Sequence, residues 1–126
     1  SDVCSSDLIA HQLGARYGIP HGQANALALP HVLTACLAEA EEELAELAIV
    51  TNTSDAASPA ARATAFVDAV SRLIASVGIA QTDARIQKAD WMVLAHAAMD
   101  ESDGYVSPRL LTKDEILGIL ERITAH

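Results

Sequence analysis

The chain contains five histidines. Three of them, His11, His21 and His31, lie at intervals of ten residues in its most apolar part. Imidazole is a common ligand for divalent transition metals, so buried histidines near a turn raise the question of a metal site. The spacing alone leaves a second interpretation open, in which each histidine is only a hydrogen-bonded core or capping residue.

Helices must position these histidines, because apolar residues recur at helical spacing along most of the chain. We predict a short helix from Leu8 that Gly18 closes, and a buried helix that Pro30 kinks or breaks. Ser58-Pro59 and the Thr112–Glu115 capping box begin two later amphipathic helices. The predicted helices span residues 8–17, 22–37, 39–50, 59–77, 91–99 and 113–123.

Three details of this prediction concern individual side chains. Leu44, Leu47 and Ala48 should form the buried side of the third helix. The apolar side of the fourth helix should consist of the residues that recur at helical spacing, which are Phe66, Val70, Leu73, Ile74 and Val77. Asp90 should cap the fifth helix, and a loop should run from Asp100 to Pro108.

Composition supports an all-α fold in a single domain. The 126 residues are 51% hydrophobic and only 3% aromatic, and abundant Ala and Leu favour helices over strands. We therefore predict a helical bundle of five or six helices. No internal repeat is present.

Charge and hydropathy exclude several classes of partner. The net charge of −9, from 17 acidic and 8 basic residues, would repel the phosphates of a nucleic acid. No apolar run is long enough to span a membrane, and the first residues do not resemble a signal peptide. We predict a soluble, cytoplasmic protein without a nucleic-acid or membrane partner. Cys4 and Cys36 are predicted to be free thiols.

The segment around the first three histidines carries a more specific pattern. Residues 11–31 read H-Q-L-G-A-R-Y-G-I-P-H-G-Q-A-N-A-L-A-L-P-H. This string resembles the signature of iron-containing (group III) alcohol dehydrogenases, in which A-H-x-L-G precedes a short turn, P-H-G-x-A-N-A and then L-P-H. Residues 107–116 resemble the P-R-x-x-T close of the same family. The resemblance covers about residues 9–126 and implies the fold of the carboxy-terminal, metal-binding helical domain.

The resemblance also implies roles for individual residues. In the family one aspartate and three histidines hold the metal, and the histidine of the P-H-G turn is a ligand, which assigns this role to His21. His11 corresponds to a catalytic histidine near the metal and the nicotinamide cofactor. The implied cofactors are Fe²⁺, or Zn²⁺ in some relatives, and NAD or NADP. His31 matches the pattern without being a ligand, and we interpret it as structural.

The family's function follows from that site. A small alcohol or aldehyde is the implied substrate, and the metal polarises its oxygen so that hydride can be transferred to the nicotinamide. The resemblance also implies that the longer enzyme, of which this chain would be a part, is a homo-oligomer. Pro20 and Gly22 support the role of His21, because they favour a tight turn that can direct its imidazole inward.

The chain departs from the family pattern at its beginning. The family's third histidine ligand lies four residues before the position of His11, where this sequence has Asp7. Residues 1–8 look like a non-native, adapter-like leader, so we predict that residues 9–126 are native and that the nucleotide-binding domain is missing. The chain would then be inactive alone, because one imidazole binds a metal weakly.

Two alternatives to this interpretation are a different function for the same fold and a different branch of the larger family. A non-catalytic helical interaction module could keep the fold without the chemistry. Within the larger family, polyol dehydrogenases and dehydroquinate synthases tend to have H-G-E after the turn, and maleylacetate reductases usually have alanine after that histidine. The H-G-Q-A-N sequence that begins at His21 favours the alcohol dehydrogenase branch.

Overall fold

The computed structural model describes residues 7–102 and 111–125, which form six α-helices and no β-strand. A single parallel bridge joins Asp83 to Thr124, and a 3₁₀ turn, Lys88–Asp90, precedes the fifth helix. The prediction of an all-α bundle of five or six helices is confirmed. The helices are α1 (Asp7–Tyr17), α2 (His21–Ala35), α3 (Glu41–Val50), α4 (Pro59–Ser76), α5 (Trp91–Ser102) and α6 (Lys113–Ile123).

Local signals begin and end these helices as expected. Gly18 ends α1 with φ of +69°, a backbone conformation that favours glycine. Ser58 Oγ accepts a hydrogen bond of 3.0 Å from the backbone N–H of Ala61 at the start of α4. At α6 the capping box is complete, because Thr112 Oγ1 accepts from Glu115 N and Glu115 Oε1 accepts from Thr112 N.

The main core lies between α1, α2, α5 and α6. Apolar side chains from all four helices are almost completely buried there, which favours this arrangement through the hydrophobic effect. No helix in the described ranges is long and apolar enough to span a bilayer. The buried residues include Leu8, Ile9, Leu13, Leu27, Val32, Leu94, Ile116 and Leu120.

A second, smaller apolar cluster joins α3 to the first half of α4. Leu44 and Ala48 are buried as predicted, but Leu47 is 43% exposed. Leu73 and Val77 were predicted to lie on the buried stripe of α4, and each is 64% exposed. The reason is length: α4 has 18 residues and α3 has ten, so the second half of α4 extends beyond this partner.

Two predictions for the second helix need correction. Of the predicted kink or break at Pro30, the break is wrong, because α2 runs through Pro30, and the Thr34 hydroxyl donates a hydrogen bond of 2.8 Å to the Pro30 carbonyl. Packing of α2 in the core offsets the cost of an interior proline. Cys36, the residue after α2, is completely buried and disulfide-bonded rather than free. The same prediction for Cys4 falls outside the described residues.

The prediction of a loop from Asp100 is wrong for residues 100–102, because α5 continues through Ser102. Helical propensity at residues 100–102 is modest but compatible with continuation of the helix. The remainder of the predicted loop, up to Pro108, lies outside the described residues.

Asp83 connects the segment between α4 and α5 to the rest of the fold. Its side chain is buried and accepts hydrogen bonds from Arg85 Nη2 at 2.7 Å and from Gln23 Nε2 of α2 at 3.2 Å. The hydrogen bond from the Arg85 side chain lowers the pKa of the Asp83 carboxyl, although burial opposes this shift. The ionised form of Asp83 is therefore the form that stabilises the fold.

Asp83→Asn should lower the free energy of unfolding by about 1 kcal/mol at neutral pH, a value discounted for the partial exposure of Arg85. Because the folded-state pKa is depressed, this stabilisation is present above the unfolded-state pKa of about 3.9 and is lost as the pH falls through the folded-state value. Urea unfolding of both proteins at about pH 7 and about pH 3 measures the change. Exposed Asp68→Asn is the control, and a difference that stays constant with pH would contradict the prediction.

Candidate functional site

His11 and His21 lie side by side. His11 is in the middle of α1 and His21 is the first residue of α2, and the turn between these helices places their rings with centroids 5.6 Å apart and planes inclined by 29°. Pro20, in extended conformation, precedes α2 and sets the direction in which that helix begins. Two of the three histidines that the sequence singled out are therefore adjacent in space.

The imidazole of His21 contacts a side chain one helical turn later. Asn25 Nδ2 lies 2.9 Å from His21 Nε2. An amide nitrogen is a donor, so in this arrangement Nε2 accepts and its lone pair is directed at Asn25. Ligation of a metal through Nε2 would have to replace this hydrogen bond. His21 is exposed, and so is His11, rather than buried as predicted, so the His21 ring can be reached by a group from outside the chain.

His11 is held from the opposite side by α5. Its Nδ1 lies 2.5 Å from Oε1 of Glu101, and the neighbouring Gln12 donates through Nε2 to Oε2 of the same carboxylate at 3.0 Å. The His11 side chain is 44% exposed and that of Glu101 is 27% exposed. A single carboxylate thus binds two adjacent residues of α1.

A second carboxylate fixes the other end of the contact between α1 and α5. Asp90, just before α5, accepts hydrogen bonds from Arg16 Nη2 at 3.0 Å and Tyr17 Oη at 2.8 Å. The Arg16 hydrogen bond, followed by that of Tyr17, lowers the pKa of the Asp90 carboxyl. Asp90 was predicted to cap α5, and its carboxylate instead binds α1, because two strong donors of α1 compete for it. These contacts make α1 and α5 antiparallel.

His31 is separated from this pair. It lies ten residues after His21 on α2, which corresponds to about 15 Å along a helix axis. It lines a cavity of about 260 Å³ between α2 and α6, together with Glu115 and Arg122. Partial burial, with the nearby Arg122 charge, lowers the pKa of the imidazole. Our interpretation of His31 as structural stays a prediction.

The described residues do not form a complete metal site. Within residues 7–102 and 111–125 there is no group of three or more His, Cys, Asp or Glu side chains that could hold a metal ion. The side chain of Asp7, which stands at the position of the family's third histidine, lies outside the described side chains. The imidazole of His21 could provide one ligand to a metal ion, but a stable metal site needs further ligands.

Glu101 was not among the candidate residues from the sequence, although it contacts one of them directly. Its partner His11 is 90 positions away in the chain, so no local pattern connects the two. One weak signal exists: Glu101 is an acidic residue in the last turn of a helix, where the helix dipole disfavours negative charge.

Comparison with known proteins identifies the class to which this helical domain belongs. The family model described as "Fe-containing alcohol dehydrogenase family, C-terminal" matches residues 3–124. The chain therefore belongs to the iron-containing alcohol dehydrogenase family, and it corresponds to the carboxy-terminal part of that family's fold. This confirms the resemblance inferred from the sequence.

Individual relatives agree with this assignment. The chain is 34% identical over 117 residues to 1,3-propanediol dehydrogenase of Citrobacter freundii, which covers 90% of this chain and 30% of the relative. It is 36% identical over 112 residues to lactaldehyde reductase of Escherichia coli K12, which covers 86% of the chain and 29% of that protein. A crystal structure of 1,3-propanediol oxidoreductase superposes with a TM-score of 0.86 at 30% identity and covers 94% of this chain and 32% of that one. The chain thus spans about 30% of the length of these curated relatives.

Proposed function

We propose that this chain is the carboxy-terminal part of a metal-dependent, NAD(P)-linked alcohol dehydrogenase, here called the parent enzyme, which transfers hydride between a small alcohol or aldehyde and nicotinamide. The observation that carries the proposal is the pair of adjacent imidazoles, His11 and His21, in a chain that belongs to the iron-containing alcohol dehydrogenase family. The rings are exposed, so a substrate and a second domain can approach them.

His21 is proposed to provide one ligand to Fe²⁺ or Zn²⁺. When bound, the metal would supply Lewis-acid polarisation of the substrate oxygen. For ligation through Nε2, His21 must release the Asn25 amide, because one nitrogen lone pair cannot accept a hydrogen bond and bind a metal at the same time. The Asn25 amide would then no longer donate to His21.

His11 is proposed to lie against the nicotinamide and to accept or relay the proton that the alcohol loses as hydride leaves. Its position supports this role, because the ring stacks beside His21 and its Nδ1 is bound to Glu101. The Nε2 atom can then exchange a proton with a group that approaches from the exposed side.

The remaining parts of the site are proposed to come from sequence outside this chain. Residues 1–8 stay interpreted as a non-native leader, against which stand the burial of Leu8 in the main core and the family match from residue 3. Residues 9–126 are interpreted as native helical domain, and the nucleotide-binding domain as belonging to the longer parent. The isolated chain would then be inactive. Two relatives are named for 1,3-propanediol and lactaldehyde, which are small hydroxylated compounds and support a small alcohol or aldehyde as substrate. We also propose that the parent is a homo-oligomer.

Metal analysis and a cofactor assay test this proposal. The full-length parent should reduce NAD or NADP with a small alcohol, lose this activity on chelation and regain it with Fe²⁺ or Zn²⁺. The 126-residue chain should hold far less than one metal per molecule and form no NADH. Turnover by the chelated parent would contradict metal dependence, and stoichiometric metal with NADH formation by the isolated chain would contradict its incompleteness.

A further inference from the structure

The carboxylate of Glu101 uses both of its oxygens on α1. Oε1 is bound to His11 Nδ1 at 2.5 Å and Oε2 to Gln12 Nε2 at 3.0 Å. An ionised carboxylate only accepts hydrogen bonds, so His11 must donate through Nδ1. In a neutral imidazole the proton then resides on Nδ1, and the lone pair is on Nε2.

The position of Glu101 in its helix does not favour an acidic residue. Glu101 is the second-to-last residue of α5, where the negative end of the helix dipole disfavours a carboxylate. The contact with His11 is partly exposed, and such pairs contribute little to folding. The connection between α1 and α5 is also made independently by Asp90, Arg16 and Tyr17.

We propose that Glu101 is a positioning residue for His11, which holds the imidazole in the Nδ1–H tautomer and in one orientation so that Nε2 is available for proton transfer. The catalytic part of this proposal rests on the proposed function, whereas the tautomer of His11 does not. Gln12 contributes by donating to the second oxygen, which limits rotation of the carboxylate. The hydrogen bond that one ring nitrogen makes fixes the tautomer and the ring direction of a histidine.

The tautomer can be measured on the 126-residue chain itself, without any activity. Nitrogen-15 NMR of the imidazoles, at a pH where they are neutral, should show the Nδ1–H tautomer for His11. Glu101→Ala should convert His11 to a mixture of both tautomers. Asp100→Ala is the matched control, because Asp100 is an exposed carboxylate in the same helical turn. An unchanged His11 spectrum in Glu101→Ala would overturn the proposal.

The consequence for catalysis is measured in the full-length parent. Glu101→Ala should lower kcat by about 10–100-fold, with little change in KM or in bound metal, by analogy with the loss of carboxylate partners of metal-ligating histidines. Glu101→Gln should restore most of the loss, because its amide oxygen can still accept from Nδ1. Equal kcat for Glu101→Ala and Asp100→Ala would overturn the catalytic role. Failure of the wild-type parent to oxidise alcohols would contradict the proposed function instead, and the NMR result would still decide the position of His11.

Discussion

Replacing His21 with alanine in the full-length parent should lower kcat/KM for alcohol oxidation by more than about 100-fold, because loss of a residue that only supports a ligand already costs about 10–100-fold. The substitution removes the one imidazole that this chain is proposed to give to the metal. Steady-state kinetics should be combined with measurement of bound iron, since both should fall together. Circular dichroism should show an intact fold, because His21 is exposed.

A matched histidine separates this effect from a general loss of imidazole. His96 is exposed on α5, and His96→Ala should retain both metal and turnover. The assignment of His21 as a ligand is wrong if His21→Ala keeps wild-type iron content and activity. It is also wrong if His96→Ala and His21→Ala lose activity to the same extent.

The largest effect on stability is expected at Leu13. This residue is completely buried in the main core, on the same helix as His11. Leu13→Ala should lower the free energy of unfolding by about 2–5 kcal/mol, because it removes buried methyl groups and leaves a cavity that neighbours fill only in part. Urea-induced unfolding followed by circular dichroism measures the change.

Leu73→Ala provides the same substitution at an exposed site. Leu73 is 64% exposed, so its replacement should change the free energy of unfolding by less than about 0.5 kcal/mol. If both variants lost a similar free energy of unfolding, the prediction would be contradicted. The burial of Leu13 would then not explain its contribution to the stability of the fold.

The parts of this fold that could be predicted depend on short-range chemistry. Ser58 and Thr112 begin their helices through hydrogen bonds to residues three positions later, and Gly18 ends α1 through its own backbone conformation. Such signals are complete within one turn of sequence, which explains why the helix positions were close to those observed. The pairing of His11 and His21 likewise depends on two consecutive helices and the turn that joins them.

The parts that could not be predicted depend on which helices meet. Whether Leu73 and Val77 are buried is decided by the length of the neighbouring helix, and hydrophobic periodicity does not contain that information. Asp90 was an acceptable cap by sequence, but it binds Arg16 and Tyr17 of a helix more than 70 positions away. Glu101 was missed for the same reason.

The contacts of His11 also have very different distances along the chain, which affects the order in which they can form. His21 is ten residues away, whereas Glu101 is 90 residues away. Closing the longer loop in a flexible chain costs about 2 kcal/mol more in conformational entropy. During folding the two imidazoles can therefore meet as soon as α1 and α2 pair, while Glu101 reaches His11 only after α5 has docked. A nascent or partly unfolded chain would thus present paired histidines in which the tautomer of His11 is not yet selected.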